Sequence, residues 1–140
     1  KERREILNEL VNETRTIIIY EAPHRLLRTL TELESALGGM RKIAVCKELT
    51  KRHETVYRDT ISGALGYYTA NEPKGEYVLV IEGRSPKELL EEKRAAWDDM
   101  SIEEHFNMYV SRGMDKKDAM KLVAKDRGVS KRDIYNALLD

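Results

Sequence analysis

The sequence predicts an α/β fold: a small mixed sheet flanked by helices over residues 1–84, followed by a small all-helical tail over 85–140. Three observations carry the prediction. The runs at 16–20 (Thr-Ile-Ile-Ile-Tyr) and 77–81 (Tyr-Val-Leu-Val-Ile) are apolar throughout rather than alternating, as in strands covered on both faces. Leucine-rich stretches at helical spacing separate the strand-like runs. After Ser85 no strand-like run recurs.

Element by element, Ile6, Leu7, Leu10 and Val11 repeat at helical spacing among charges, predicting an amphipathic helix over 1–13. Residues 16–21 read as a strand buried on both sides, as in a parallel sheet. Pro23 suits a first helical position, leucines follow at 26, 27, 30, 33 and 37, and Gly38-Gly39 ends the helix. Residues 41–46 form a second strand, and 55–61 alternate as an edge strand. A short helix over 62–71 is weakened by Gly63 and Gly66, and a turn at 73–75 leads into a last strand over 76–83. A sheet this thin needs another domain against it.

In the tail, a helix over 86–99 turns Leu89, Leu90, Ala96 and Trp97 to one side. Ser101 and Glu104 make a capping box for a helix carrying Ile102, His105, Phe106, Tyr109 and Val110, which stops at Gly113. Asp115 caps the next, with Ala119, Met120, Leu122, Val123 and Ala124 apolar; Gly128 ends it. Ser130 caps the last, which turns Ile134, Tyr135, Leu138 and Leu139 inward. The spacing from Val123 through Gly128 to Tyr135 is that of a helix-turn-helix presenting Lys131, Arg132 and Asn136 to a nucleic acid; a small packing bundle has the same pattern.

The 25 basic and 25 acidic residues cancel, yet unevenly. Residues 85–111 carry 3 basic and 7 acidic groups, and residues 112–136 carry 8 and 4, a weak pointer to a polyanion. The lone Cys46 allows no internal disulfide and no Cys-rich metal site, and fits a reducing compartment. No apolar run is long enough to span a bilayer, and no secretory signal is seen. The opening Lys1-Glu2-Arg3-Arg4, already in helical pattern, reads as the start of a piece cut from a longer protein.

Two places carry chemistry. Glu21, His24 and Arg25 lie just past the carboxyl end of a strand, where open α/β sheets bind ligands. Lys47-Glu48-Leu49-Thr50-Lys51-Arg52-His53-Glu54, after the second strand, is dense in ionisable groups. The bland alternatives are a solvated helix start and a salt-bridged surface loop. The functional reading has these two strands, taken as neighbours, delivering their polar ends into one shared crevice.

Three stretches in order, Tyr20-Glu21-Ala22-Pro23-His24-Arg25, Lys47 to Glu54, and Gly75-Glu76-Tyr77-Val78-Leu79-Val80-Ile81-Glu82-Gly83, resemble the C-terminal portion of the small-subunit (16S) ribosomal RNA 2′-O-ribose cytidine methyltransferases of the tetrapyrrole methylase superfamily. Lys47 departs from the arginine usual there, which keeps the charge and gives up a bidentate contact. The resemblance implies S-adenosylmethionine held between two domains, of which the Gly-rich N-terminal one is missing here. It places Tyr20, Glu21, Ala22, Leu49 and Thr50 on the cofactor side. The ionisable groups Glu48, Lys51, His53 and Glu54, with His24 and Arg25, face RNA; Arg25, Lys47, Lys51 and Arg52 suit phosphates, as do Lys131 and Arg132 in the tail.

Methyl transfer from a sulfonium asks for orientation and for removal of the hydroxyl proton, for which Lys51, His53 and Glu48 are unranked candidates. The resemblance further implies a cytoplasmic homodimer working on the small ribosomal subunit, no metal and no membrane, and a fragment inactive by itself. The alternatives are a corrin or porphyrin methylase and a helix-turn-helix DNA-binding regulator; the basic tail speaks against the first, and its terminal position against the second.

Overall fold

The computed structural model describes residues 1–139. The chain divides into two compact units, 1–85 and 86–140. The first holds helix α1 (Glu2–Leu10), strand β1 (Ile17–Glu21), a 3-10 turn (Pro23–Arg25), α2 (Leu26–Leu37), β2 (Lys42–Lys47), β3 (Thr55–Thr60), α3 (Ile61–Ala70) and β4 (Tyr77–Ile81).

The four strands form one sheet in the order β1-β4-β2-β3. The predicted class stands, a small sheet flanked by helices with a helical tail, but strand direction and covering differ from the expectation. All three pairings are antiparallel, so the sheet is neither parallel nor mixed. Within this unit, among the described residues, helices cover only one of its faces. There Ile17, Ile43, Val45, Tyr77, Leu79 and Ile81 meet Leu26, Leu30 and Leu33 of α2 and Ile61, Ala64 and Tyr68 of α3. Burying one such aliphatic side chain is worth about 1.5–3 kcal/mol. On the other face Ile18 stays 61% and Tyr20 81% exposed, beside Val78 and Val80 in register. The unbroken apolar run therefore marks a strand with one face packed and one bare.

The second unit holds α4 (Pro86–Ala95), α5 (Ile102–Ser111), α6 (Lys116–Arg127) and α7 (Lys131–Leu139). Val123, Ala124 and Ile134 are its centre, with Ile102, Phe106, Tyr109, Met120 and Leu138 around them. The starts of α5, α6 and α7 are capped as the sequence reads: Ser101 and Glu104 form the reciprocal capping box, and Asp115 accepts from Lys117 N–H at 3.1 Å. Ser130 and Asp133 bond each other's backbone N–H at 3.1 Å. Gly128 closes α6 in the left-handed conformation (φ 68°), which glycine adopts without a Cβ penalty.

Behind these caps lies a polar network that the sequence pattern hides. His105 is fully buried. Its Nδ1 accepts from Arg127 Nε at 2.9 Å, so its Nε2 carries the hydrogen and donates to Asp126 at 3.0 Å. Tyr109 donates to the same carboxylate oxygen, Arg127 also donates to the Met100 carbonyl, and Trp97 stacks on the imidazole at 4.0 Å. Counted as an apolar helix position, His105 is in fact the hub joining α5 to α6.

Candidate functional site

Strands β1 and β2 are not neighbours: β4 lies between them, antiparallel to both. They therefore point the same way, and their carboxyl ends emerge at one edge of the sheet. The Ile-rich run puts Tyr20, Glu21 and Ala22 there, and the 3-10 turn begun by Pro23 adds Arg25. The loop after β2 brings Leu49, Thr50 and Lys51, and the start of β4 contributes Glu76, Tyr77 and Val78. Together they line a cleft of about 610 Å³, within the range of small-molecule sites.

Glu21 anchors one wall. Its side chain is 7% exposed and accepts from Thr29 Oγ1 at 2.6 Å, from Ala22 N–H at 2.9 Å and from Arg25 Nε at 3.0 Å. Burial pushes this carboxyl up, but the three donors outweigh it and hold it below the ordinary range. Glu21 is thus an anion at neutral pH that keeps Arg25 beside the cleft.

Lys51 stands on the other wall. Its ammonium bonds Glu76 at 2.6 Å and Glu48 at 3.0 Å, and those bonds, Glu76's first, raise its pKa. The Lys51 bond, and then the Glu76 backbone N–H at 3.0 Å, hold the Glu48 carboxyl below its usual value. Glu48 therefore braces the loop rather than lining the cleft. The loop backbone is strained: Glu48 has φ 52° and Thr50 φ 65°, conformations that cost an L residue of order 1–3 kcal/mol each and cluster at functional sites. Glu48 N–H to Glu76 O (2.9 Å) and Lys51 N–H to Glu48 O (3.0 Å) hold it in place. Gly75, at φ 82°, leaves room for the Glu48 carboxylate, which a Cβ there would overlap.

The cleft thus gathers all five residues read as cofactor-side, Tyr20, Glu21, Ala22, Leu49 and Thr50, with Arg25 and Lys51. Lys47, half-buried, ends β2 opposite Tyr77 and Thr55. His24, Arg52 and His53 are exposed and not among its lining residues. Lys131 and Arg132 are exposed on the first turn of α7, in the other unit. Glu76, Tyr77 and Val78 received no site role from the sequence. Glu76 stood in the third stretch of the resemblance, but only antiparallel pairing of β4 brings it to Lys51. Among the described residues, no group of three or more His, Cys, Asp or Glu is placed to hold a metal ion, and no helix is long and apolar enough to cross a membrane.

A helix-backed sheet whose strand ends open into a polar-rimmed cleft agrees with what comparison with known proteins returns: residues 1–64 match the family of tetrapyrrole (corrin/porphyrin) methylases. Along nearly its whole length the chain is similar to proteins named ribosomal RNA small subunit methyltransferase I. It is 38% identical over 138 residues to the one from Synechocystis sp., covering 99% of this chain and 48% of that protein. To the Bacillus subtilis protein of the same name it is 42% identical over 137 residues (98% and 46%), and to that of Erythrobacter litoralis 36% over 140 residues (100% and 46%). The chain thus spans about half the length of the curated relatives it matches.

Proposed function

We propose that this chain is the C-terminal part of an S-adenosylmethionine-dependent enzyme that methylates a ribose 2′-hydroxyl of a cytidine in small-subunit ribosomal RNA. On this reading it works in the cytoplasm as a homodimer, and a preceding N-terminal domain supplies the other half of the cofactor site. The observation that supports it is the meeting of the β1 and β2 ends in one cleft, in a chain whose relatives are named ribosomal RNA small subunit methyltransferase I.

The donor set fits the cofactor. Tyr20, Leu49 and Val78 offer apolar surface for an adenine and a thioether chain; the Thr50 hydroxyl and the buried Glu21 charge suit ribose hydroxyls and an ammonium. Bound there, S-adenosylmethionine supplies an already activated methyl group. The protein's own task is then to orient the ribose and to ease the loss of its proton. Lys51, tied to two carboxylates, stays protonated and serves as a fixed cation that favours the developing alkoxide. Glu48 positions Lys51, and His53, exposed two residues further along the loop, receives the proton. His24, Arg25, Lys47 and Arg52 meet the RNA.

The test joins the chain to an N-terminal half taken from a relative and measures transfer of a labelled methyl group to small ribosomal subunits. The joined protein forms a ribose-methylated cytidine and the 140-residue chain alone forms none; alanine at Lys51 slows the reaction about 10²-fold. No product from a folded joined protein with Lys51, His53 and Glu48 intact contradicts the proposal.

A further inference from the structure

The eight cations of residues 112–136 face four carboxylates, and the fold itself uses three of those. Asp115 caps α6, Asp133 caps α7, and Asp126 is taken by His105 and Tyr109. Only Arg127 among the cations is similarly internal. Lys116, Lys117, Lys121, Lys125, Lys131 and Arg132 are all exposed and form no ion pair among the described residues.

Lys117, Lys121 and Lys125 stand at i, i+4 and i+8 of α6, a single row about 6 Å apart along the axis. Opposite them Ala119 and Val123 are buried. A merely solvated helix face alternates charges, because opposite signs one turn apart attract and like signs repel. Here lysine follows lysine with no acid in the row, and the flanking Asp118, three residues before Lys121, offsets one charge of the excess, so the helix keeps a repulsion that it relieves only in part. A polyanion relieves it, and the binding gains from released counterions.

We infer that the Lys117-Lys121-Lys125 row of α6, with Lys131 and Arg132 of α7, seats the phosphate backbone of RNA without reading its sequence. The inference deepens the proposed function and rests on it for the choice of RNA. It moves the main contact from the second helix of the helix-turn-helix, which in such motifs reads base edges, to the first.

The experiment measures anisotropy of a fluorescein-labelled, mixed-sequence 20-nucleotide RNA with the full 140-residue chain over a range of KCl concentrations. Each phosphate contact on a single strand adds about 0.7 to the slope of log affinity against log salt. The K117Q/K121Q/K125Q variant loses about 2 from that slope and binds at least tenfold more weakly at low salt. Its Trp97 fluorescence melt is unchanged or shifted upward, which separates lost contact from lost fold. K87Q/K93Q on α4 leaves the slope within about 0.5 of the parent.

An unchanged slope in the triple variant, an equal loss per charge in the α4 control, or tighter binding to anionic lipid vesicles or duplex DNA than to RNA overturns the inference. If the joined enzyme with the three glutamines methylates subunits at the parent rate, this surface is refuted and methyl transfer stands. If the joined parent transfers no methyl while the triple variant loses RNA binding, the surface stands and the methyl-transfer reading falls.

Discussion

An amine that is to take a proton from a hydroxyl must be neutral part of the time, and the surroundings of Lys51 favour the opposite state. Glu76 and Glu48 both accept from its ammonium and both raise its pKa. Glu76→Gln should therefore bring the Lys51 pKa back toward the ordinary 10.5, read from the pH titration of its ¹³Cε resonance. A titration identical to the parent's would mean that the ion pair does not form in solution. The same corner depends on Gly75. Ala there must adopt φ 82° and overlap the Glu48 carboxylate, so Gly75→Ala should cost about 1–3 kcal/mol and disturb the amide signals of 48–51. Stability within ~0.5 kcal/mol of the parent and unmoved signals would show that the loop is looser than drawn.

At the scale of elements, the helical unit owes its arrangement to a neutral imidazole. Burial, the first cause, and Arg127 lower the His105 pKa from its ordinary 6.5, against the opposing bond to Asp126. Protonation would also force an N–H at Nδ1 against the Arg127 donor. The groups facing His105 are Trp97, Tyr109, Asp126 and Arg127. Because the unfolded chain binds the proton more readily, stability is fully present above about pH 6.5, falls as pH drops below it, and levels off below the folded-state pKa. Trp97, the single tryptophan, stacks on the ring and reports unfolding of this unit directly. Its melting temperature should fall between pH 6.5 and 5, and His105→Gln should flatten that dependence while lowering stability at pH 7. A parent profile flat over that range would mean that the network tolerates the imidazolium.

What the sequence discloses is uneven at this scale for physical reasons. Caps are local, so Ser101-Glu104, Asp115 and Ser130 announce themselves within four residues, and the structure has each. Pairing direction is not local. An apolar run says that a strand is buried, not whether its neighbour runs with or against it, so Ile17–Glu21 was expected in a parallel sheet and lies in an antiparallel one. The His105 partners are 21 and 22 residues away, and a histidine on an apolar face gives no sign of them.

For the molecule as a whole, the apolar open face of the sheet and the cleft at its edge are two parts of one surface, joined through Tyr20 and Val78. That the polar ends of β1 and β2 meet at one cleft was legible because a strand followed at once by ionisable residues is visible in sequence. The roles of Glu48 as a brace and Glu76 as its counterpart were not, since both depend on β4 lying between those strands. On the proposed function such a surface is one half of a binding site, which a second domain completes.

The measurement that bears most directly on the shared cleft is the affinity of the joined two-domain protein for S-adenosylmethionine, taken by calorimetry for the parent and for single variants on each strand end. Tyr20→Ala on the β1 side and Leu49→Asp on the β2 side should each weaken binding by about tenfold or more, roughly 1.4 kcal/mol, with the amide signals of the sheet core unchanged. If both variants bind the cofactor as the parent does, the two strand ends do not form its site.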